Sequence, residues 1–179
     1  MARSNKKYEV IDLFCGIGGL SYGLKCQGMK IIAGFDLDYT CQYAYETNTG
    51  GKFYYKDVRA ISGDEINNLY SQKRGAIKIL AGCAPCQPFS SYAFKNKNKD
   101  KDKYNLLYEF GRLVREVQPD IVTMENVPAI ASFKLQSVLA DFVEVLQRFI
   151  AGDFDFDGVI EPDAGVTVGQ RYFAHVWYC

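Results

Sequence analysis

Over its first 150 residues the chain alternates short apolar runs with segments whose apolar positions recur at helical spacing. Apolar runs bounded by turn residues predict buried strands, and the longer periodic segments predict amphipathic helices. The predicted strands lie at residues 8–14, 30–36, 53–55, 77–82 and 120–124. The predicted helices lie at residues 20–27, 39–47, 64–72, 106–117 and 135–149. This alternation predicts an α/β fold with a mostly parallel sheet and helices on both of its faces.

The sequence changes character after residue 150, where residues 152–158 alternate aspartate with phenylalanine between two glycines. We expect residues 1–150 to form one domain and residues 151–179 to be a divergent or truncated tail. Within that tail, residues 172–179 are apolar enough to predict one strand. Residues 95–103 hold five lysines and predict an exposed loop.

Composition places the chain among ordinary globular proteins, because 48% of its 179 residues are hydrophobic and 23% are charged. No apolar stretch approaches the roughly 18 residues of a membrane helix, and no signal-peptide core follows the basic start. We therefore expect a cytoplasmic or nucleoid-associated protein with no membrane partner. The formal net charge is zero, which argues against strong nucleic-acid binding by this chain alone.

The cysteines and the single histidine limit the chemistry that the chain can offer. Six cysteines are scattered along the sequence without the density of a secreted disulfide scaffold. One histidine excludes a His-rich metal site. We expect reduced thiols and no metal.

The turn after the first predicted strand suits a ligand. Residues 12–19 read Asp-Leu-Phe-Cys-Gly-Ile-Gly-Gly, and glycines there let the backbone approach a bound group closely. Asp36 ends the second strand, where a carboxylate can accept hydrogen bonds from ribose hydroxyls. Asp57 and Val58 follow the third strand and can meet an adenine edge. A dinucleotide fingerprint is absent, so a nucleoside cofactor without pyrophosphate fits better; the alternative is a glycine-rich connection without a ligand.

A thiol and a carboxyl group follow two further strands. Cys86 lies between Pro85 and Gln87 after the fourth strand, and Glu125 follows the fifth. Residues just past the ends of parallel strands converge on one crevice, so both groups are offered to the same ligand. Cys86 is the candidate nucleophile, and Glu125 is the candidate proton donor because its position predicts partial desolvation.

Three other interpretations of these residues stay open. Cys86 can be a buried structural thiol, as many lone cysteines are. Cys83 and Cys86 can form a redox pair with thioredoxin-like spacing. Metal binding by the same two thiols lacks a second pair of ligands.

Taken together, these motifs resemble those of the cytosine-C5 DNA methyltransferase family. The similarity covers residues 8–149, with the motifs in the family's order and spacing. The resemblance implies a Rossmann-like fold of the class I methyltransferase type. The similar stretches are the cofactor motif at 12–19, the ribose motif at 35–38, the adenine contact at 57–58, the nucleophile loop at 82–90 and the acid motif at 125–127.

The resemblance also implies a mechanism and a role for each matching residue. Cys86 adds as thiolate to C6 of a cytosine swung out of double-stranded DNA, and Glu125 hydrogen-bonds or protonates N3. The methyl donor is S-adenosyl-L-methionine, which leaves as S-adenosyl-L-homocysteine, and Asn126 braces the nucleophile loop. The residues implied in cofactor binding are Asp12, Phe14, Gly16, Gly18, Gly19, Leu20, Asp36, Leu37, Asp57, Val58, Pro85 and Leu106.

After residue 149 the chain departs from the family's pattern. The target-recognition domain and the final helix that completes the cofactor site are absent, and residues 170–173 only weakly resemble the motif that normally comes next. The chain is then a fragment, a degenerate remnant, or one half of an enzyme whose second polypeptide supplies target recognition. We expect the isolated chain to bind the cofactor weakly and to methylate DNA inefficiently.

Two other functions remain compatible with the sequence. A tRNA cytosine-C5 methyltransferase shares the same base chemistry. A non-catalytic cofactor-binding subunit shares the fold, although both Cys86 and Glu125 are present. A restriction-modification context follows from the resemblance alone.

Overall fold

The computed structural model describes residues 7–71, 75–84, 101–126, 167–168 and 172–178. For the last two ranges, for residues 101–105 and for residue 126 it describes the backbone only. The predicted helix at 135–149 lies outside the described residues, as do Pro85 and Cys86.

The described elements alternate along the first 126 residues in the predicted order. The strands are β1 Lys7–Leu13, β2 Lys30–Asp36, β3 Lys52–Tyr55, β4 Ala76–Gly82, β5 Ile121–Asn126, β6 Thr167–Val168 and β7 Tyr172–Tyr178. The helices are α1 Gly19–Cys26, α2 Gln42–Thr49, α3 Gly63–Leu69 and α4 Lys101–Val117, with 3₁₀ turns at Tyr39–Cys41 and Val58–Ala60.

The strands form one sheet in the order β3-β2-β1-β4-β5-β7-β6. All neighbouring pairs are parallel except β6 and β7, which are antiparallel. The mostly parallel α/β sheet predicted from the sequence is confirmed. The order reverses at β1, whose neighbours β2 and β4 leave a crevice at their carboxyl ends, where ligands bind in open α/β sheets.

Helices cover both faces of the sheet, as the sequence predicted. Val10 of β1 packs in one apolar cluster with Tyr45 of α2, whereas Ile11 packs in the other with Ile66 of α3 and Leu113 of α4. Successive strand residues point to opposite faces, so β1 supplies both cores. Its last five residues are all buried, charged Glu9 and Asp12 included, because helices cover both faces of the sheet at this strand.

Local chemistry fixes the helix ends. Ser62 accepts a hydrogen bond from the Glu65 amide and caps the N-terminus of α3. Gly28 has a φ of +82° just after α1, where glycine is the favoured residue. The sequence predicted this stop correctly.

Several predicted boundaries are wrong by a few residues. Phe14 belongs to the turn after β1, because its φ of +60° ends the extended backbone. The second predicted helix divides into the 3₁₀ turn Tyr39–Cys41 and α2. Glu125 and Asn126 are the last two residues of β5 and do not follow it.

The largest boundary error concerns the lysine-rich run. Residues 101–103 begin helix α4, although the run was predicted as a loop. The loop was predicted from the high charge of the run. Lysine is nevertheless a good helix former, so high charge alone does not exclude a helix. Residues 95–100 lie outside the described residues. In the part of the chain that is described, no helix has the length and apolarity needed to cross a membrane.

Candidate active site

The β1–α1 turn depends on backbone conformations that favour glycine. Gly16 and Gly18 have φ values of +48° and +91°. A Cβ atom on Gly18 would come within 2.7 Å of Thr49 Cγ2 and 2.9 Å of Tyr45 Cδ2. Gly18 therefore serves both the turn and the close packing of α1 against α2.

Asp36 connects this turn to the end of β2. Its Oδ2 accepts a hydrogen bond of 2.8 Å from the Gly16 amide, and its Oδ1 accepts one of 2.9 Å from the Asp38 amide. A carboxylate has about four acceptor positions, so both oxygens keep capacity for a ligand's hydroxyl groups. The residue predicted to hold a ribose also fixes the glycine turn.

A cavity of about 340 Å³ opens at the carboxyl ends of β1, β2, β3 and β4. Its size and its mixture of apolar walls with a few polar groups suit a small-molecule ligand. Six of the predicted cofactor residues line it: Phe14, Asp36, Leu37, Asp57, Val58 and Leu106.

Three further residues line the cavity that the sequence predictions missed. Phe35 stacks on Tyr54 with ring centroids 5.0 Å apart; it begins the ribose motif at 35–38, but no ligand contact was predicted for it. Lys56 comes directly before Asp57, and Cys83 lies three residues before Cys86. Cys83 was named from the sequence only as part of the nucleophile loop and as a possible partner of Cys86. The nearness of Lys56 to Asp57 was the sequence signal that could have found Lys56.

Of the other predicted cofactor residues, the five that the structure describes do not line the described part of the cavity. Gly16 and Gly18 form the turn, Gly19 and Leu20 begin α1, and Asp12 is buried near the end of β1.

Asp57 caps the 3₁₀ turn that follows β3. Its Oδ1 accepts a 2.9 Å hydrogen bond from the Arg59 amide, and Oδ2 accepts one of 2.9 Å from Arg59 Nε. The hydrogen bond from the Arg59 side chain lowers the pKa of Asp57. Asp57 is therefore an ionised acceptor at neutral pH.

Asp12 belongs to a buried polar cluster with Ser21 and Tyr45. Asp12 Oδ2 accepts a 2.6 Å hydrogen bond from Ser21 Oγ, which lies 3.3 Å from Tyr45 Oη. Asp12 Oδ1 is buried and has no hydrogen-bond partner among the described residues. Burial, opposed in part by the Ser21 hydrogen bond, raises the pKa of Asp12 to about 7.

The tips of β4 and β5 bring a thiol and a carboxyl group together. Gly82 of β4 pairs with Met124 of β5, so the next residues along the two strands, Cys83 and Glu125, are neighbours. Cys83 Sγ donates a hydrogen bond to Glu125 Oε2 at 2.6 Å. Because Cys83 also lines the cavity, the acid adjoins the ligand site.

The other two predicted catalytic residues are less fully described. The backbone of Asn126 ends β5, and Cys86 lies outside the described residues. Within the described ranges, no group of three or more His, Cys, Asp or Glu side chains could hold a metal ion.

Comparison with known proteins identifies the family. Residues 8–150 match the family model of the C-5 cytosine-specific DNA methylase. The chain therefore belongs to the C-5 cytosine-specific DNA methylase family, and the predicted resemblance is confirmed.

Individual relatives agree with this assignment. The chain is 46% identical over 139 residues to the Type II methylase M.HgiDII of Herpetosiphon aurantiacus, covering 78% of this chain and 38% of the relative. It is 29% identical to the Type II methyltransferase M.PspPI of a Psychrobacter species, covering 80% of this chain and 33% of the relative. The chain thus spans about a third to two fifths of the length of these relatives.

A solved structure extends the comparison to three dimensions. A DNA modification methyltransferase encoded within an Escherichia coli prophage superposes with a TM-score of 0.66 at 27% identity. The match covers 86% of this chain and 40% of that one.

Proposed function

We propose that this chain carries the cofactor-binding and catalytic part of a DNA (cytosine-5-)-methyltransferase. The observation that carries the proposal is the continuity between the cavity and the acid: Cys83 lines the cavity and its thiol contacts Glu125. A ligand in the cavity and a base held by Glu125 would lie side by side, as direct group transfer requires.

The family implies S-adenosylmethionine as the methyl donor, and the cavity fits the nucleoside part of that molecule. Asp36 keeps acceptor capacity for the ribose hydroxyls, and ionised Asp57 can accept from the amino group of adenine. Phe14, Leu37 and Val58 supply apolar walls for the adenine ring. When bound, the cofactor supplies the methyl group; S-adenosylhomocysteine is the expected product, and no metal is required.

The catalytic roles belong to Cys86 and Glu125. The Cys86 thiolate forms a bond to C6 of the cytosine while Glu125 hydrogen-bonds or protonates N3, so negative charge does not build up on the ring. The C5 electron pair would then form a bond to the methyl carbon as the bond from that carbon to the donor's sulfonium sulfur breaks. Loss of the C5 proton re-forms the C5–C6 double bond and breaks the carbon–sulfur bond, which releases Cys86.

Double-stranded DNA is the proposed substrate, with the target base turned out of the helix. The family description and the name of the prophage enzyme refer to DNA, so the tRNA alternative is not favoured. Because these relatives are longer than the chain, we propose that recognition of the target sequence comes from a segment or polypeptide beyond these 179 residues.

A covalent trap tests the proposal. Duplex DNA containing 5-fluorocytosine is incubated with the chain and S-adenosylmethionine, because fluorine at C5 cannot leave as a proton and holds the enzyme on the base. We expect a denaturant-resistant protein–DNA adduct that Cys86→Ser abolishes.

The matched control is Cys26→Ser, since Cys26 is an exposed thiol on α1. This variant should form the adduct as the wild type does. An adduct that survives Cys86→Ser would contradict the assigned nucleophile. A chain that forms an adduct on tRNA and none on DNA would contradict the substrate.

A further inference from the structure

One arginine outside the cavity ties helix α4 to the turn that carries Asp57. Arg112 Nη2 donates hydrogen bonds to the backbone carbonyls of Val58 at 3.1 Å and of Ile61 at 3.0 Å. These carbonyls flank the 3₁₀ turn at its start and just past its end. Arg112 therefore fixes the turn as a unit.

The rest of the guanidinium group is held by two carboxylates on the same helix. Arg112 Nε donates to Glu109 at 2.6 Å, and Nη1 donates to Glu116 at 2.9 Å. The side chain of Arg112 is only 28% exposed. A planar guanidinium can reach carboxylates and carbonyls at the same time, which a lysine ammonium on a flexible stem cannot do.

Glu116 makes a second tie to the same region. Its Oε2 accepts a 2.7 Å hydrogen bond from the Gly63 amide at the start of α3. A Cβ atom on Gly63 would lie 2.8 Å from the backbone carbon of Glu116, so α3 and α4 are in close contact there. The Arg112 hydrogen bond holds the pKa of Glu116 below its ordinary value.

The turn that Arg112 holds forms one wall of the cavity. Asp57 and Val58 line the cavity, whereas Arg112 is not among the described lining residues. Asp57 caps the turn through the Arg59 amide, and the Arg59 side chain also donates to both of its carboxylate oxygens. The position of the carboxylate therefore follows the position of the turn that carries both residues. Leu106, which lies on α4 itself, also lines the cavity, so Arg112 joins the turn to the helix that completes this side of the cavity.

We propose that Arg112 is a positioning residue for recognition of the purine base, an inference that rests on the proposed function. By holding the Val58–Ala60 turn, Arg112 places the Asp57 carboxylate where it accepts a hydrogen bond from the amino group of adenine. Hypoxanthine has a carbonyl oxygen at that position, which a carboxylate repels. The preference for adenine then depends on a side chain that does not touch the ligand.

The test compares S-adenosylhomocysteine with S-inosylhomocysteine, its hypoxanthine counterpart, by calorimetric titration of the 179-residue chain. The wild type should bind the adenine ligand at least about tenfold more tightly. With the hypoxanthine ligand the Asp57 carboxylate loses its hydrogen-bond donor, and the free-energy cost of that loss corresponds to at least this ratio. Arg112→Met should reduce this ratio to near one, and Arg112→Lys should not restore it. Arg115→Met is the matched control, because Arg115 is exposed on the same helix, and it should keep the wild-type ratio.

Circular dichroism checks that each variant is folded. If Arg112→Met does not fold, Gly63→Ala is used instead, because its added Cβ atom disturbs the contact between α3 and Glu116 and should also lower the ratio of the two affinities. A merely structural role predicts equal weakening for both ligands and an unchanged ratio. An unchanged ratio with intact wild-type binding overturns this inference alone. Failure of the wild type to bind S-adenosylhomocysteine overturns the proposed function, and this inference with it.

Discussion

Opposite walls of the cavity are held in place by different kinds of interaction. On the side of α1 and α2, the glycine turn lies near Asp12, Ser21 and Tyr45, which are at most 1% exposed. On the side of α3 and α4, Arg112 and Glu116 hold the wall through ion pairs that stay partly exposed. Buried polar groups respond strongly to protonation, whereas partly exposed ion pairs are weakened by solvent and salt. The α1/α2 side should therefore be destabilised by a change of pH, and the α3/α4 side by salt.

The largest expected effect concerns Asp12 and pH. Its pKa is about 7 in the folded chain against a model value of 3.8, so the folded state keeps a proton that the unfolded state loses. The retained proton on Asp12 stabilises the folded state. This contribution to the free energy of unfolding is complete below about pH 4 and is lost as the pH rises through about 7. It amounts to roughly 4 kcal/mol.

The groups that shift the pKa of Asp12 besides burial are Ser21 and Asp36, and the Asp12 charge in turn raises the pKa values of Cys15 and Tyr45. In Asp12→Asn the side chain does not titrate, so its free energy of unfolding relative to the wild type should rise between pH 5 and pH 8. Urea unfolding at both pH values measures the difference. A constant difference between variant and wild type would show that Asp12 titrates normally.

The next largest effect is expected for Gly34→Ala, which tests how tightly the α1/α2 side is packed. A Cβ atom on Gly34 would lie 2.5 Å from Tyr45 Oη and 2.6 Å from Cys15 Sγ. Gly34→Ala should lower the free energy of unfolding by about 3 kcal/mol because the buried tyrosine must move.

Gly23→Ala is the control for this substitution. Gly23 lies in α1, and a Cβ atom there meets nothing within 4 Å among the described atoms. The control should be neutral or stabilising by up to about 1 kcal/mol, since alanine favours helix. Equal losses in both variants would contradict the packing argument.

The smallest effect belongs to the opposite side. Lys56 Nζ and Glu65 Oε2 form an ion pair of 2.6 Å, with the two side chains 36% and 37% exposed. Exposed pairs of this kind contribute about 0.5 kcal/mol, so Glu65→Gln should cost no more than that at low salt and nothing at 1 M salt. A loss above about 2 kcal/mol in thermal or urea unfolding would show that this side also depends on buried charge.

The sequence predicted the fold because alternating strands and helices leave a periodic pattern. Asp36 and Asp57 were predicted as ligand residues because they lie at or just past the ends of predicted strands, whereas Phe14 was predicted only through the family resemblance. The hydrogen bond from Gly16 to Asp36 and the contacts of Arg112 were not predicted. Such contacts join residues far apart in the chain and leave no periodic signal.

The positions of helix boundaries were harder to predict for a physical reason. The start of α4 is rich in lysine and has no apolar stripe, so periodicity could not reveal it. Phe14 has a positive φ, a conformation that few non-glycine residues adopt. The pattern therefore extended β1 by one residue.

The central claim is that the cavity between Asp36 and Val58 binds the cofactor nucleoside beside Glu125. A titration of the ¹⁵N-labelled chain with S-adenosylhomocysteine, followed by NMR of the backbone amides, tests it directly. We expect the amides of Phe14, Gly16, Leu37, Val58 and Glu125 to shift together with one dissociation constant, while the amide of exposed Lys25 on α1 stays unchanged. Shifts confined to residues remote from this cavity, or no shifts at all at saturating ligand, would contradict it.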